Sequence, residues 1–371
     1  MKLNNNQQAF LELVRAGLWE KDACLLQYGN IDFQEVYRLA QEQSVVGLVA
    51  AGFEHVKDVK IPQEYALSVA GETLQLEQRN IAMNRFIGVL VNKMRKADIY
   101  ALLVKGQGIA QCYERPLWRA SGDVDLLLSE SSYEKAKDYL SPLSSFKYDE
   151  NIKRRHLGMN IDSWEVELHG SLRGDLWGRM DSVIDDIQNL IFYGDAVRLW
   201  INGDTRVLLP RAKEDVVLVF SHILQHFFQE GIGLRQICDW CRLLWTFRDS
   251  LDREELRSRL LRMGIMTEWK AFSALTVHYL NMPEDAMPFY EPSGKWLRKA
   301  NRILSLVLET GNFGHNIDKS YKQEKGIVIR KLITFCRTTK DMYKTFSMFP
   351  LDSLKVWWRV VTGGVLAIFK C

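Results

Sequence analysis

The chain lacks any hydrophobic run long enough to cross a bilayer. Its longest uncharged apolar stretch, VVTGGVLAIF from Val360 to Phe369, has ten residues, where a spanning helix needs roughly 20. With KVWWR before it, this stretch is expected to dock on the core as a C-terminal helix; resting on a membrane surface is the alternative. The start, MKLNNNQQAF, shows no charged segment leading into an apolar one, so export is not expected. Cysteine is sparse: Cys24, Cys112, Cys238, Cys241, Cys336 and Cys371 are scattered without a disulfide-like spacing, which suits a reducing cytoplasm. Charge of one sign is scarce too. The formal net charge of +3 argues against a long nucleic-acid partner, which wants a basic surface. There is no repeat and no low-complexity segment. What remains is a soluble globular composition, 47% hydrophobic and 26% charged, in a chain long enough for two or three domains.

The texture changes twice. Residues 1–97 read as helical: Phe10, Leu13, Val14 and Leu18 fall at helical spacing, and Pro62 can open a long helix that closes on the basic turn NKMRKA. Residues 98–210 read as a small α/β unit. IYALLVKG is a buried strand stopping at glycine, QGIAQCYE a short helix, DVDLLL a second strand, and SSYEKAKDYL a capped helix. FKYDE, HLGMNI and WEVELHGSL follow as strands, the last two joined by a turn at Asp162-Ser163, and AVRLWINGDTRVLLP turns at Asn202-Gly203-Asp204. From 211 to 371 the pattern is helical again, with breaks at Gly231 and Gly233, around Pro283–Pro292, and at Gly311–Gly314. The expected class is α+β: a small mixed sheet flanked by N-terminal and C-terminal helical regions.

Within that unit, KGQGIAQCYERPLWRASGDVDLLL places two carboxylates at the head of an apolar strand. Alternate residues of a strand share a face, so Asp123 and Asp125 point one way while Val124 points into the core. By the same count Glu165, Glu167 and His169 share one face of WEVELHG. If the two strands neighbour each other, a third carboxylate joins the pair. Converging carboxylates repel one another; they stabilise a fold poorly and hold Mg²⁺ or Mn²⁺ well.

These residues carry a resemblance. Residues 98–172 resemble the nucleotidyltransferase fold of the DNA polymerase β superfamily, in which a strand, a glycine-containing turn and a helix precede a strand bearing DxD. LLVKGQGIAQCYERPLWRASGDVDLLL, VELHGSL and SHILQHFFQEGIGLRQICDW are together similar to an uncharacterised bacterial nucleotidyltransferase-like family. The resemblance implies that Asp123 and Asp125 hold catalytic metals, with Glu167 as third carboxylate, either metal ligand or general base. It implies that Gly106 lets the backbone approach phosphate, and that Lys105 meets the triphosphate as a point charge. The wider superfamily has Gly-Ser where this chain has Lys105-Gly106. Arg119 would clamp phosphate or substrate, or else order its own loop, and His169 would line the cleft or make a structural hydrogen bond. The implied reaction uses Mg²⁺ or Mn²⁺ and an NTP as co-substrate, and releases pyrophosphate. Its acceptor, a small molecule or a protein, is open, and so is a non-catalytic module on the same fold that senses nucleotide or binds a partner.

A second cluster lies downstream. His222 and His226 are four apart on one predicted helix, and Arg235, Cys238, Asp239 and Cys241 sit on the next. HxxxH with CxxC raises zinc, but CDWC fits a helix rather than a knuckle. A polar network of His222, His226, Arg235 and Asp239 where the helices meet the α/β unit is the stronger expectation. Trp118 and Trp177 are the tryptophans expected near the cleft.

Overall fold

The computed structural model describes residues 3–229, 231–312 and 327–368. Four helices, Asn5–Trp19, Phe33–Glu42, Val46–Glu54 and Gln63–Lys96, form the N-terminal region. Pro62 is the N-cap of the last, and Lys93, Arg95 and Lys96 occupy its final turn, where cations complement the helix dipole. The sheet comprises β1 (Ala101–Val104), β2 (Asp123–Leu128), β3 (Ser144–Lys147), β4 (His156–Ile161), β5 (Trp164–His169), β6 (Val197–Asn202) and β7 (Thr205–Pro210). Their order is β3-β4-β5-β2-β1-β7-β6. β2–β5 and β1–β7 are parallel pairs and the others antiparallel, so the sheet is mixed, as the class requires.

Both expected hairpins form. Asp162 and Gly203 take φ of +54° and +57° in their turns, the positive values that two-residue loops demand. Two elements are shorter or shifted. The helix after β1 spans Gly106–Ala110 only, and just beyond it the Tyr113 hydroxyl donates to Asp239 at 2.8 Å. The FKYDE segment pairs earlier than expected, as the edge strand Ser144–Lys147. A helix at Gly178–Tyr193 links β5 to the β6–β7 hairpin.

Alternation divides the sheet into two faces. Ala101, Leu103, Val124, Leu126, Leu128, Val166 and Leu168 pack with Met83, Ile87, Leu90 and Met94 of the long helix and with Tyr133 and Leu140 of the helix Glu130–Leu140. On the other face Leu102, Val104 and Leu127 join a larger core made with both terminal helical regions. Its centre is Phe220, whose ring centroid lies 4.8 Å from those of Trp240 and Trp269. The helices Ala212–Gln229 and Leu234–Phe247 cover this second face. Gln43 ties the terminal regions together: its amide donates to Val307 O at 3.0 Å and accepts from Leu234 N at 2.9 Å.

The helix Pro350–Ile368 is docked through buried Val356, next to buried Phe349, and by Arg359 against Asp175 at 3.0 Å. Among the described residues no helix is long and apolar enough to cross a membrane. Phe369 and Gly314, at the ends of two sequence features, lie outside the described residues. Cys24, Cys112, Cys238, Cys241 and Cys336 are free thiols.

One glycine fixes where the motif loop runs. A Cβ on Gly47 would stand 2.0 Å from Trp118 O, so the helix Val46–Glu54 can seat the turn before Arg119 only without a side chain there. Gly47→Ala is expected to destabilise the protein by about 1–3 kcal/mol through overpacking, read as a lower midpoint in urea unfolding.

Candidate active site

The parallel register of β2 and β5 sets Asp123 opposite Glu165, Asp125 opposite Glu167 and Leu127 opposite His169. All these side chains therefore project from the face covered by the C-terminal helices. One oxygen from each of Asp123, Asp125 and Glu167 lies within 4.8 Å of the others. A cleft of about 280 Å³ opens over them, walled by Gly106, Arg119, His222 and Arg235 among others. A second lobe of about 300 Å³ is lined by His156, Glu167, His169, Ser171, His222 and His226. Lys105, Glu167, His222 and His226 line both lobes.

The carboxylates are not equivalent. Asp125 is 3% exposed; burial opposes its charge, but Lys105 and His169 more than offset this and hold its carboxyl below the ordinary value. Lys105 Nζ donates to Asp125 Oδ1 at 3.0 Å and His169 Nε2 to the same oxygen at 2.8 Å. Burial also opposes the charge on Glu167, and hydrogen bonds from His156 and His169 hold that carboxyl well below the usual range. Asp123 has no such partner. The charge on Asp125 beside it, and then burial, push its pKa up to about 6. Burial disfavours the charge on Lys105 and on His169, yet the surrounding carboxylates raise both pKa values.

Lys105 holds its place at a conformational cost. Its φ of +58° lies where side chains are disfavoured, a strain of about 1–3 kcal/mol, and Gly106 follows at +41°. The pairing with Asp125 is what the strained position gains.

Arg119 is already engaged. Its Nε and Nη2 donate to Asp239 at 3.0 and 2.6 Å and its Nη1 to Ser121 at 2.7 Å. The fork is therefore committed to the helix Leu234–Phe247, and its best-supported role is to order the loop before β2. Arg235 donates from Nη1 to Ala120 O at 2.9 Å and faces the first lobe; burial and the nearby Arg119 charge lower its pKa. His222, His226, Arg235 and Asp239 thus all lie on the cleft wall. His222 and His226 stand with ring centroids 4.3 Å apart. Burial, then Lys105, then His226, push the pKa of His222 well down, so it lines the cleft as a neutral ring.

One expectation changes. Trp118 and Trp177 do not line either lobe: their indoles donate to Glu77 at 2.9 Å and to Met263 O at 2.9 Å. Cys238 and Cys241 are fully buried with thiol pKa values pushed up by burial. Among the described residues, neither they nor His222 and His226 belong to a group able to hold a metal. The residue that sequence reasoning missed is His156, which donates from Nε2 to Glu167 at 3.2 Å. The two-residue turn at Asp162-Ser163 already implied it, since that turn sets residue 156 opposite 169.

The donor set fits a hard divalent cation: three carboxylates, one left unpaired and hard to ionise, are the oxygen ligands that Mg²⁺ and Mn²⁺ take. In the ion-free protein the raised Asp123 pKa stabilises the fold only while the group is protonated. That contribution is complete below the ordinary carboxylate range and lost once pH rises past about 6. A bound cation reverses the sign. Mn²⁺ is therefore expected to raise the melting temperature more at about pH 7.5 than at about pH 5.5. Asp123→Asn should raise the ion-free melting temperature at the higher pH and remove the Mn²⁺ response, as read by thermal unfolding. Separately, Asp239→Ala leaves Arg119 buried and unpaired, which should cost about 3–5 kcal/mol in urea unfolding.

No curated protein and no solved structure matches the chain. A family model described as an uncharacterised nucleotidyltransferase matches residues 29–281, a span that holds every residue of the cleft. That is more than half of the sequence, and the chain belongs to this family of uncharacterised nucleotidyltransferases.

Proposed function

We propose that the protein is a divalent-metal-dependent nucleotidyltransferase of the polymerase β type, working in the cytoplasm. It transfers a nucleoside monophosphate from an NTP to a hydroxyl-bearing small molecule or protein side chain and releases pyrophosphate. The observation that carries this reading is the convergence of Asp123, Asp125 and Glu167 from two parallel strands beside the Lys105-Gly106 turn.

Asp123, Asp125 and Glu167 would hold Mg²⁺ or Mn²⁺. When bound, the ion supplies charge neutralisation on the triphosphate and a more acidic acceptor hydroxyl. The chain's own residues do the rest. Gly106, free of a side chain, lets the backbone come close to phosphate oxygens. Lys105, held charged, offers a point charge to the triphosphate once it leaves Asp125. Arg235 faces the same lobe and adds a second cation to it. Arg119 keeps the loop before β2 in register through Asp239. Glu167 has two open roles, ligand and base. Its strongly depressed pKa makes it a weak base and a good ligand. His169 orients Asp125 and Glu167. The acceptor enters by the second lobe, whose polar lining of Ser171, Gln225 and His226 suits a hydroxylated molecule better than an apolar one.

The non-catalytic reading, a nucleotide sensor or partner-binding module, rests on one observation: an ammonium already sits on Asp125. One experiment separates the two. The protein is incubated with Mg²⁺ or Mn²⁺, each labelled NTP and pooled acceptors, and pyrophosphate release and self-labelling are followed. Activity is expected, with Asp123→Asn and Asp125→Asn each lowering it at least about a hundredfold. Absence of turnover with a retained nucleotide-dependent thermal shift leaves the sensor; absence of both overturns nucleotide binding altogether.

A further inference from the structure

We propose that His156, His169 and Glu167 form a second cation site, selective for a first-row transition ion of the Zn²⁺ type over Mg²⁺. The inference goes beyond the nucleotidyltransferase reading, because it needs no nucleotide and no turnover.

The hairpin builds the site. β4 and β5 place His156 directly across from His169, with Glu167 two residues before it on the same face. The two imidazoles stack with centroids 4.7 Å apart and planes 18° apart. His156 Nε2 lies 3.2 Å from Glu167 Oε2, and His169 Nε2 lies 3.3 Å from that same oxygen. All three donor atoms fall within 4.8 Å of one another. Around a tetrahedral ion with bonds of ~2.0–2.2 Å, neighbouring donor atoms stand ~3.3–3.6 Å apart. Two of the three edges are thus already near their bound length.

The donors decide the ion. Two imidazoles and one carboxylate suit zinc and its neighbours, whereas Mg²⁺ demands oxygen ligands. The aspartate pair and this trio therefore sort cations by chemistry while sharing Glu167, and an ion on His169 Nε2 replaces the proton which that atom otherwise donates to Asp125. Access differs as well: the His156 side chain is 36% exposed, against 3% for Asp125, and all three residues line the second lobe. An ion can reach the histidines from solvent through the lobe in which the acceptor is placed.

Untagged full-length protein, stripped with a chelator, is titrated with Co²⁺ while its visible d–d absorption is recorded. In parallel, Zn²⁺ retained through gel filtration is counted by elemental analysis. The wild type should retain one equivalent of Zn²⁺ and give the intense bands of a low-coordinate cobalt site. His156→Gln, at a partly exposed position, should keep its circular dichroism spectrum, lose the bands and bind at least about tenfold more weakly. Asp123→Asn should keep them. The proposal is overturned by absent bands and absent Zn²⁺, or by bands that survive His156→Gln, or by bands that vanish in Asp123→Asn alone. Failure here is distinguishable from failure of the nucleotidyltransferase reading, which the Mn²⁺ thermal response and pyrophosphate release report separately.

Discussion

Like charges forced together by strand register are the constraint from which this molecule's organisation follows. β2 and β5 run parallel in the middle of the sheet, and their alignment leaves Asp125 and Glu167 side by side with Asp123 close by. Hydrophobic burial on the opposite face holds the alignment. Val124, Leu126, Val166 and Leu168 cannot turn outward without emptying a core filled by the long helix. The electrostatic cost is met locally, by Lys105 from the adjacent strand end and by His156 and His169 from the hairpin. Asp123 is left over, and its raised pKa is the sign that the compensation is incomplete.

The surrounding architecture keeps that arrangement from relaxing. Arg119 and Asp239 join the loop before β2 to the helix Leu234–Phe247 through a buried two-point contact. Tyr113 meets the same carboxylate, and Arg242 on that helix donates to Cys112 O at 2.8 Å. The covering helix is thus bound to the middle and the far end of the segment between β1 and β2, not merely laid upon it. A charge cluster that could lower its energy by spreading is denied the room.

Much of this was legible in the sequence, for physical reasons. Alternation in DVDLLL and WEVELH gives the shared face because a strand has a fixed period, and the changes of texture near residues 98 and 211 mark where periodicity switches. The hairpins were legible because turn residues with positive φ are few. What stayed hidden was the outcome of contacts between distant segments. Nothing local to Arg119 says that its partner is Asp239, 120 positions on, and so a phosphate clamp and a loop latch looked alike. The same blindness put Trp118 and Trp177 near the cleft, since an indole's partner is set by tertiary packing. That β2 and β5 are neighbours was a condition in the sequence reading, because strand order lies outside any local pattern.

The Asp162-Ser163 turn carries more than its two polar residues suggest. Its length sets the parity of β4 against β5, and parity decides on which side of the sheet His156 emerges. One residue gained or lost there, with every side chain retained and the strands paired one step out of register, would bring His156 to the side where Met159 and Val166 pack and take it away from Glu167, which now lies across from Gly158. In this hairpin the spacing is as much a part of the chemistry as the side chains. A comparison of relatives that aligned histidines without counting the turn would misjudge which of them keep the pair.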